Sequence, residues 1–386
     1  MDASGGIGRM LTTITKRSFG ISLCRALCLA LGFGAIEAQA KSTIQGDEKN
    51  GERIVQERCV SCHSVTTQDP KNHESILSAS GPSLANSGDK FVPEWLEKWL
   101  AQPTQIWPAG YLSFRHVITT PEGDRIDASL LPGHVALPPS EAHEVTIYLL
   151  TLKKEPNQYP VSSAPSEIPG KLLFDKVMGC RSCHQAEPAQ GGQSGPELYT
   201  AAERLRKEWV QEFIADPQYW GSGLMAKSNM GGTQLQAIVD YLFRPASATT
   251  IAHSLVSKVP SKENALGESQ PLPHGKTLYL TFCSQCHGVQ GNGKGLNAVS
   301  MSVAPRNHTS NEEMAGLTDE RLFAAIKFGG AAVGKSSFMP SWAPLLTDAD
   351  IDALVAYLHK LNGSETSAQA PPSSQPASFT ELRSSR

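Results

Sequence analysis

The chain has 386 residues, too many for one ordinary hydrophobic core, and its length predicts two or three domains. Its 34 Lys and Arg against 37 Asp and Glu leave a net charge of −3, a balance that argues against nucleic acid or an anionic membrane surface as a partner.

Residues 1–40 read as an export signal. Arg9, Lys16 and Arg17 form a basic start, ALCLALGFGA is apolar, and Ala38 to Ala40 (AQA) supply a small-residue cleavage pattern. KRSF is similar to a twin-arginine start with Lys16 in place of the first arginine. Arg25 leaves the apolar run short of the ~20 residues that span a bilayer, so a retained anchor is the weaker alternative. A mature chain starting near Lys41 would be periplasmic, without Cys24 and Cys28. It would have no membrane span of its own and would carry 30 basic against 35 acidic residues once Arg9, Lys16, Arg17, Arg25, Asp2 and Glu37 are removed.

Three units follow, all of them helical in pattern. The first, residues 41–153, opens with GERIVQERCVSCH from Gly51, continues with EWLEKWLAQP (Glu94 to Pro103), and closes with SEAHEVTIYLLTL, for which Ser140 is the expected N-cap. KKEPNQYPVSSAPSEIPG (Lys153 to Gly170) is a proline-bearing connector. The second unit, residues 164–244, has GKLLFDKVMGCRSCH from Gly170, EWVQEFIADP (Glu208 to Pro217) and the closing TQLQAIVDYLF. A longer polar connector runs from Arg244 to Gly275, with a short helix expected near His253. The third unit, residues 268–363, has GKTLYLTFCSQCH from Gly275 and the closing TDADIDALVAYLHKL, with Thr347 as N-cap and Asp348 and Asp350 in the first turn. Residues 364–386, rich in Ser, Pro, Ala and Gln, are expected to be disordered.

The remaining cysteines are Cys59 and Cys62, Cys180 and Cys183, and Cys283 and Cys286, each pair two residues apart and followed at once by His63, His184 or His287. Three CxxCH motifs in one chain signal covalent c-type haem attachment. Two thiols at this spacing can each add to one of the two vinyl groups on a porphyrin edge, and the next residue then offers an imidazole to the iron. The three histidines are therefore the expected proximal ligands of three haems. Zinc ribbons and thioredoxin-like pairs do not carry this regular histidine.

On these motifs the units resemble class I cytochrome c domains. The resemblance implies an all-α fold: three tandem haem domains, each with N- and C-terminal helices packed crosswise beside the haem, joined by polar linkers. It also implies a distal methionine on the loop before the last helix, and a carbonyl near a proline that accepts from the proximal histidine. GPSL (Pro82), GPEL (Pro196) and APRN (Pro305) are the matching places, the third least closely.

In the third unit Met339, in FMPSW, stands eight residues before Thr347 and is the expected distal ligand, while Trp342, Met301 and Met314 read as packing residues. In the second, Met225 stands eight residues before Thr233 and is preferred over Met230; Met178, on the entering helix, reads as core. Aligning the two EW segments brings Leu112 opposite Met225, and no methionine occurs between Met10 and Met178. The first unit instead carries an insertion, RHVITTPEGDRIDASLLPGH, with a turn-like PEGD, bracketed by His116 and His134. His134, six residues before Ser140, is the favoured distal ligand; His116, Lys90, Tyr111 and an open site are the alternatives. His73 and His143 read as solvated or packed. Exchanging thioether for imidazole would make the first haem the low-potential end of the relay.

The chain carries no nucleotide-binding or nucleophile signature, and GNGKG after the third motif reads as a haem loop. The leading expectation is an exported three-haem carrier of single electrons between a donor enzyme and an acceptor, more a carrier than a stand-alone enzyme. One alternative is an electron-transfer subunit of a membrane or periplasmic dehydrogenase or oxidase complex. Another is a small-molecule enzyme or sensor acting at an open first haem.

Overall fold

A computed structural model of the chain describes residues 47–67, 69–157, 159, 164–245 and 273–363. The expected export signal, most of the second connector with His253, and the tail from residue 364 lie outside the described residues.

Each unit is built on the crossing of its entering and closing helices. In the first, the helix over residues 47–58 meets Pro139–Thr151; in the second, Gly170–Leu172 meets Gly232–Leu242; in the third, His274–Leu278 meets Asp348–Leu361. The glycine that opens each motif stretch lies at the crossing. A Cβ on Gly51 would come within 2.0 Å of Glu144 O, on Gly170 within 1.9 Å of Ala237 O, and on Gly275 within 2.1 Å of Ala353 O. Backbone lies on backbone there, and Tyr148, Tyr241 and Tyr357, one turn further on, cover each glycine with their Cβ atoms.

Beyond the crossing, the second and third entering helices widen into π turns, Leu173–Val177 and Tyr279–Cys283, before the cysteine motifs. Such a turn rotates the chain relative to a regular helix and is common at functional sites. Each crossing seals its own apolar core. The cores are formed around Ile54, Val55, Leu96 and Val145, around Leu173, Phe174, Trp209 and Ile238, and around Leu278, Tyr279, Ile351 and Leu354.

Caps follow local chemistry only in part. Thr347 accepts from Asp350 N while Asp350 accepts from Thr347 N, a reciprocal capping box as the TDAD sequence suggests. Ser140 is not the N-cap expected of it. The helix starts one residue earlier, at Pro139, with Pro138 as cap, because a proline at the first helical position has no N–H to leave unpaired. In the second unit the cap is Gly231 rather than Thr233.

Two departures from a purely helical set of beads joined by linkers define the assembly. The insertion in the first unit is a hairpin: β1, Val117–Thr120, pairs antiparallel with β2, Gly123–Ile126, across a turn at Pro121 and Glu122. Its tip reaches the third unit, where Asp124 N donates to Lys294 O (2.9 Å) and Val289 N donates to Asp124 Oδ2 (2.8 Å). The first and second units pair through equivalent segments: Val92 N donates to Arg204 O (3.0 Å) and Arg206 N to Lys90 O (2.9 Å), around a bridge between Phe91 and Leu205. Adding the same offset to residues 90, 91 and 92 gives 204, 205 and 206, so the contact has a local two-fold axis. Even the first connector is held down, with Lys154 N donating to Asp89 Oδ2 and Asn157 N to Glu212 Oε2.

Gly170→Ala forces a methyl into the Ala237 carbonyl and should lower the unfolding free energy of the holoprotein by about 1–3 kcal/mol, read from the guanidinium midpoint. An unchanged midpoint would show that the crossing tolerates separation.

Candidate haem-attachment sites

The three histidines of the CxxCH motifs occupy equivalent settings. Nδ1–H of His63 donates to Pro82 O (2.7 Å), that of His184 to Pro196 O (2.9 Å), and that of His287 to Arg306 O (2.9 Å). The third acceptor lies in the expected APRN stretch, on the residue after Pro305: APRN lacks the Gly-Pro pair, and the carbonyl one residue on takes the bond. Burial pushes all three imidazoles below their ordinary pKa, only partly offset by these bonds, and so keeps them neutral. A neutral ring with Nδ1–H committed leaves Nε2 as the free donor, the form required of a metal ligand.

The glycines of the Gly-Pro pairs let the loop lie flat on the ring. A Cβ on Gly81 would stand 2.4 Å from His63 Cε1, and one on Gly195 2.6 Å from His184 Cε1. The six cysteines of the three motifs form no disulfide among the described residues, and burial pushes the thiols of Cys180 and Cys283 up to about 12.

The donors left unpartnered at the second core and at its contact with the first unit fit a cofactor with carboxylate edges. Trp209 and Trp220 are buried with their Nε1–H groups unpartnered. Lys90, whose ammonium lies 4.8 Å from the Phe91 ring centroid and 5.3 Å from that of Trp209, pairs with no carboxylate among the described residues. Burial, and then Arg204, push the Lys90 amine down to about 8. Unpaired donors in an apolar setting are costly, and the propionates of a haem are acceptors of the required sign.

On the distal side the first unit brings His134 opposite His63, with ring centroids 6.2 Å apart. A metal–imidazole bond of about 2 Å, with ring nitrogens about 1 Å from their centroids, sets two imidazoles on one iron roughly 6 Å apart. His134 packs on Trp99 at 4.5 Å, and its Nδ1–H donates to Val135 O (3.0 Å), leaving Nε2 free.

What distinguishes His134 is its ring contact with His63. His116 also commits Nδ1, to Ala109 O (2.8 Å), but is buried against Gly110. Tyr111 stacks edge-on with Trp107, and burial pushes its phenol up to about 12. His143 pairs with Glu97 on the exposed face of the closing helix. His73 is packed rather than solvated, reaching Leu345 O (3.3 Å) and the Phe282 ring in the third unit. Leu112 is a buried core residue.

Met225 lies half-buried at the edge of the second core, its carbonyl accepting from Gln218 Nε2 (2.8 Å). Met230 packs on the same core, so the equal-spacing argument for Met225 does not hold: six residues separate it from the Gly231 cap, against eight from Met339 to Thr347. Met339 packs against the third core, its carbonyl accepting from Gly330 N (2.9 Å). Met314 and Trp342 are core residues and Met178 packs on the second core, as the pattern suggested.

One residue escaped the sequence reading. His308 is buried and stacks on His287, with centroids 4.3 Å apart and planes 16° from parallel. That spacing is too short to hold an iron between the rings, so His308 braces the ring it covers. Its position three residues after Pro305 was the available clue.

Comparison with known proteins follows the same lines. The family described as Cytochrome c matches residues 273–362. Cytochrome c-554(547) of Halothiobacillus neapolitanus is 34% identical over 98 residues, which cover 22% of this chain and 92% of that protein. The cbb3-type cytochrome c oxidase subunit CcoP of Azospirillum brasilense is 36% identical over 89 residues, 23% of this chain and 28% of the relative, so only about a quarter of that subunit's length is spanned. The corresponding subunit FixP of Azorhizobium caulinodans is 23% identical over 242 residues, 58% of this chain and 69% of the relative. No solved structure matches.

Gly195→Val should tilt His184 off its bond to Pro196 and add a high-spin fraction, absent from the parent, to the electronic and paramagnetic resonance spectra. A wholly low-spin variant would show that the flat approach of this loop is not needed.

Proposed function

The chain belongs to the cytochrome c family, and from that premise we propose that it is an exported carrier of three covalent haems, passing single electrons between a donor enzyme and an acceptor in the periplasm. The observation that carries this reading is the threefold recurrence of one arrangement: a glycine crossing, a CxxCH motif, and a histidine bonded through Nδ1 to a carbonyl. Bound haem supplies a one-electron iron couple. The chain attaches it through Cys59 and Cys62, Cys180 and Cys183, and Cys283 and Cys286. His63, His184 and His287 hold the proximal side, and Met225 and Met339 are the distal partners at the second and third sites. His134 takes the distal place at the first, supported by its spacing from His63. Imidazole in place of thioether makes the first site the low-potential end.

The similarity to CcoP and FixP favours a second reading, a subunit that collects electrons within a membrane redox complex. The 242-residue match to FixP is longer than any one of the three units and therefore extends beyond a single haem domain. No helix among the described residues is long and apolar enough to cross a membrane, and the apolar stretch before residue 40 lies outside them. Co-purification of the native protein with an oxidase or dehydrogenase would select this reading over a free carrier.

Haem quantitation should give three per chain, and a redox titration should show one component well below the other two. Carbon monoxide should leave all three reduced haems unchanged, whereas His134→Ala should create one carbon monoxide-binding haem. Carbon monoxide binding to the parent protein would overturn the histidine assignment and point to small-molecule chemistry at the first site.

A further inference from the structure

We propose that Asn297 is a positioning residue that pins the second and third attachment motifs together, so that electrons pass between those two sites across their Cys183 and Cys286 edges. The inference rests on the three-haem reading above.

Asn297 is wholly buried. Its backbone N–H donates to Gln285 O, inside CSQCH, at 2.8 Å. Its side chain leaves its own unit: Oδ1 accepts from Gln193 N (2.8 Å) and Ser194 N (3.3 Å), and Nδ2 donates to Ser194 Oγ (2.7 Å). The next residue, Gly195, donates from its N–H to Cys183 O at 2.9 Å. A continuous line of hydrogen bonds thus runs from one cysteine motif to the other through a single amide side chain.

The flanking glycines allow this closeness. A Cβ on Gly192 would stand 2.2 Å from Ser182 O, and one on Gly295 would stand 2.5 Å from Ser284 O and 2.7 Å from Cys286 C, so each loop lies flush on its motif. The same loops rest on the second cysteine of each motif, Gly195 N donating to Cys183 O and Gly295 N to Cys286 O (3.1 Å).

Two other sets of contacts between units differ. The hairpin meets the third unit through Asp124, and residues 90–92 of the first unit meet residues 204–206 of the second. Neither of these two sets includes a cysteine of any motif. Each cysteine motif lies along the porphyrin edge it would be bonded to, so two motifs tied at one interface bring two porphyrin edges towards it. One electron released at a ferrous site is taken up at its ferric neighbour, with no atom or proton transferred. A buried amide whose donors and acceptors are satisfied only across the interface gives that contact a single register, which an apolar residue of the same size would not specify.

Circular dichroism in the Soret region of the fully reduced holoprotein, run beside haem quantitation, tests the assignment. The parent should show a bisignate couplet from two haems in contact. Asn297→Leu should keep the haem count and lose at least half of the couplet, Ser194→Ala should lose a smaller part, and Asp124→Ala should leave it intact. Three haems without a couplet in the parent overturn this inference alone; so does a couplet that both Asn297→Leu and Ser194→Ala leave unchanged. Fewer than three haems in the parent overturn the three-haem reading and this inference with it. If Asn297→Leu does not load haem, Ser194→Ala decides.

Discussion

Backbone-to-backbone contact at Gly51, Gly170 and Gly275 is the constraint on which the rest of the molecule depends. At 2 Å from a facing carbonyl there is no room for any side chain, so the crossing fixes both the separation and the azimuth of the two helices. With that fixed, the entering helix delivers its cysteines and histidine to one end of the unit, and the closing helix seals the core with Val145, Ile238 or Leu354. The π turns at Leu173–Val177 and Tyr279–Cys283 then adjust the rotation with which the motif is presented. The chemistry sits at the end of a rigid lever.

The stretch opposite Met225 has a structural role of its own. The residues around Leu112 are held elsewhere: Ala109 N donates to Gln193 O, Glu197 N donates to Ile106 O, and Leu112 itself is in the interior. The hairpin that follows reaches on to Lys294 and Val289. This loop of the first unit has become a brace against both neighbours, and His134 lies beyond the brace. The segment that could have carried a side chain back to its own unit is spent on assembly instead.

What could be read in the sequence was local. The spacing of Cys59, Cys62 and His63, the glycine ahead of each motif, and the TDAD cap at Thr347 are short-range patterns whose chemistry leaves few alternatives. His134 was the favoured candidate by its distance from the closing helix, with His116 as its alternative. What could not be read depends on contacts between residues far apart. The stack of His308 on His287, the shift of the third acceptor from Pro305 to Arg306, and the clamp of Asn297 on Ser194 each need the fold first. The connector after Lys153 misled for the same reason, because its prolines and charges look like a loose linker until Asp89 and Glu212 are seen to accept its N–H groups.

The two-fold contact between the first and second units carries a difference in charge. Lys90 and Arg204 occupy equivalent places and lie near each other, an arrangement that like charges resist unless something compensates. Arg204 has its compensation within the chain: Glu197, equally buried, lies 3.8 Å away, and Arg204 Nε donates to Thr200 Oγ1 at 3.1 Å. At the offset that relates the two units, the counterpart of Glu197 is Ser83, so Lys90 has no such partner and meets only aromatic faces. A buried ammonium that keeps its charge near neutral pH needs an anion, and the carboxylates of a bound haem are the ones this family provides. The cation of the second unit is thus neutralised by its own chain, whereas that of the first pairs with no carboxylate among the described residues, and the symmetry of the backbone ends at this difference in charge.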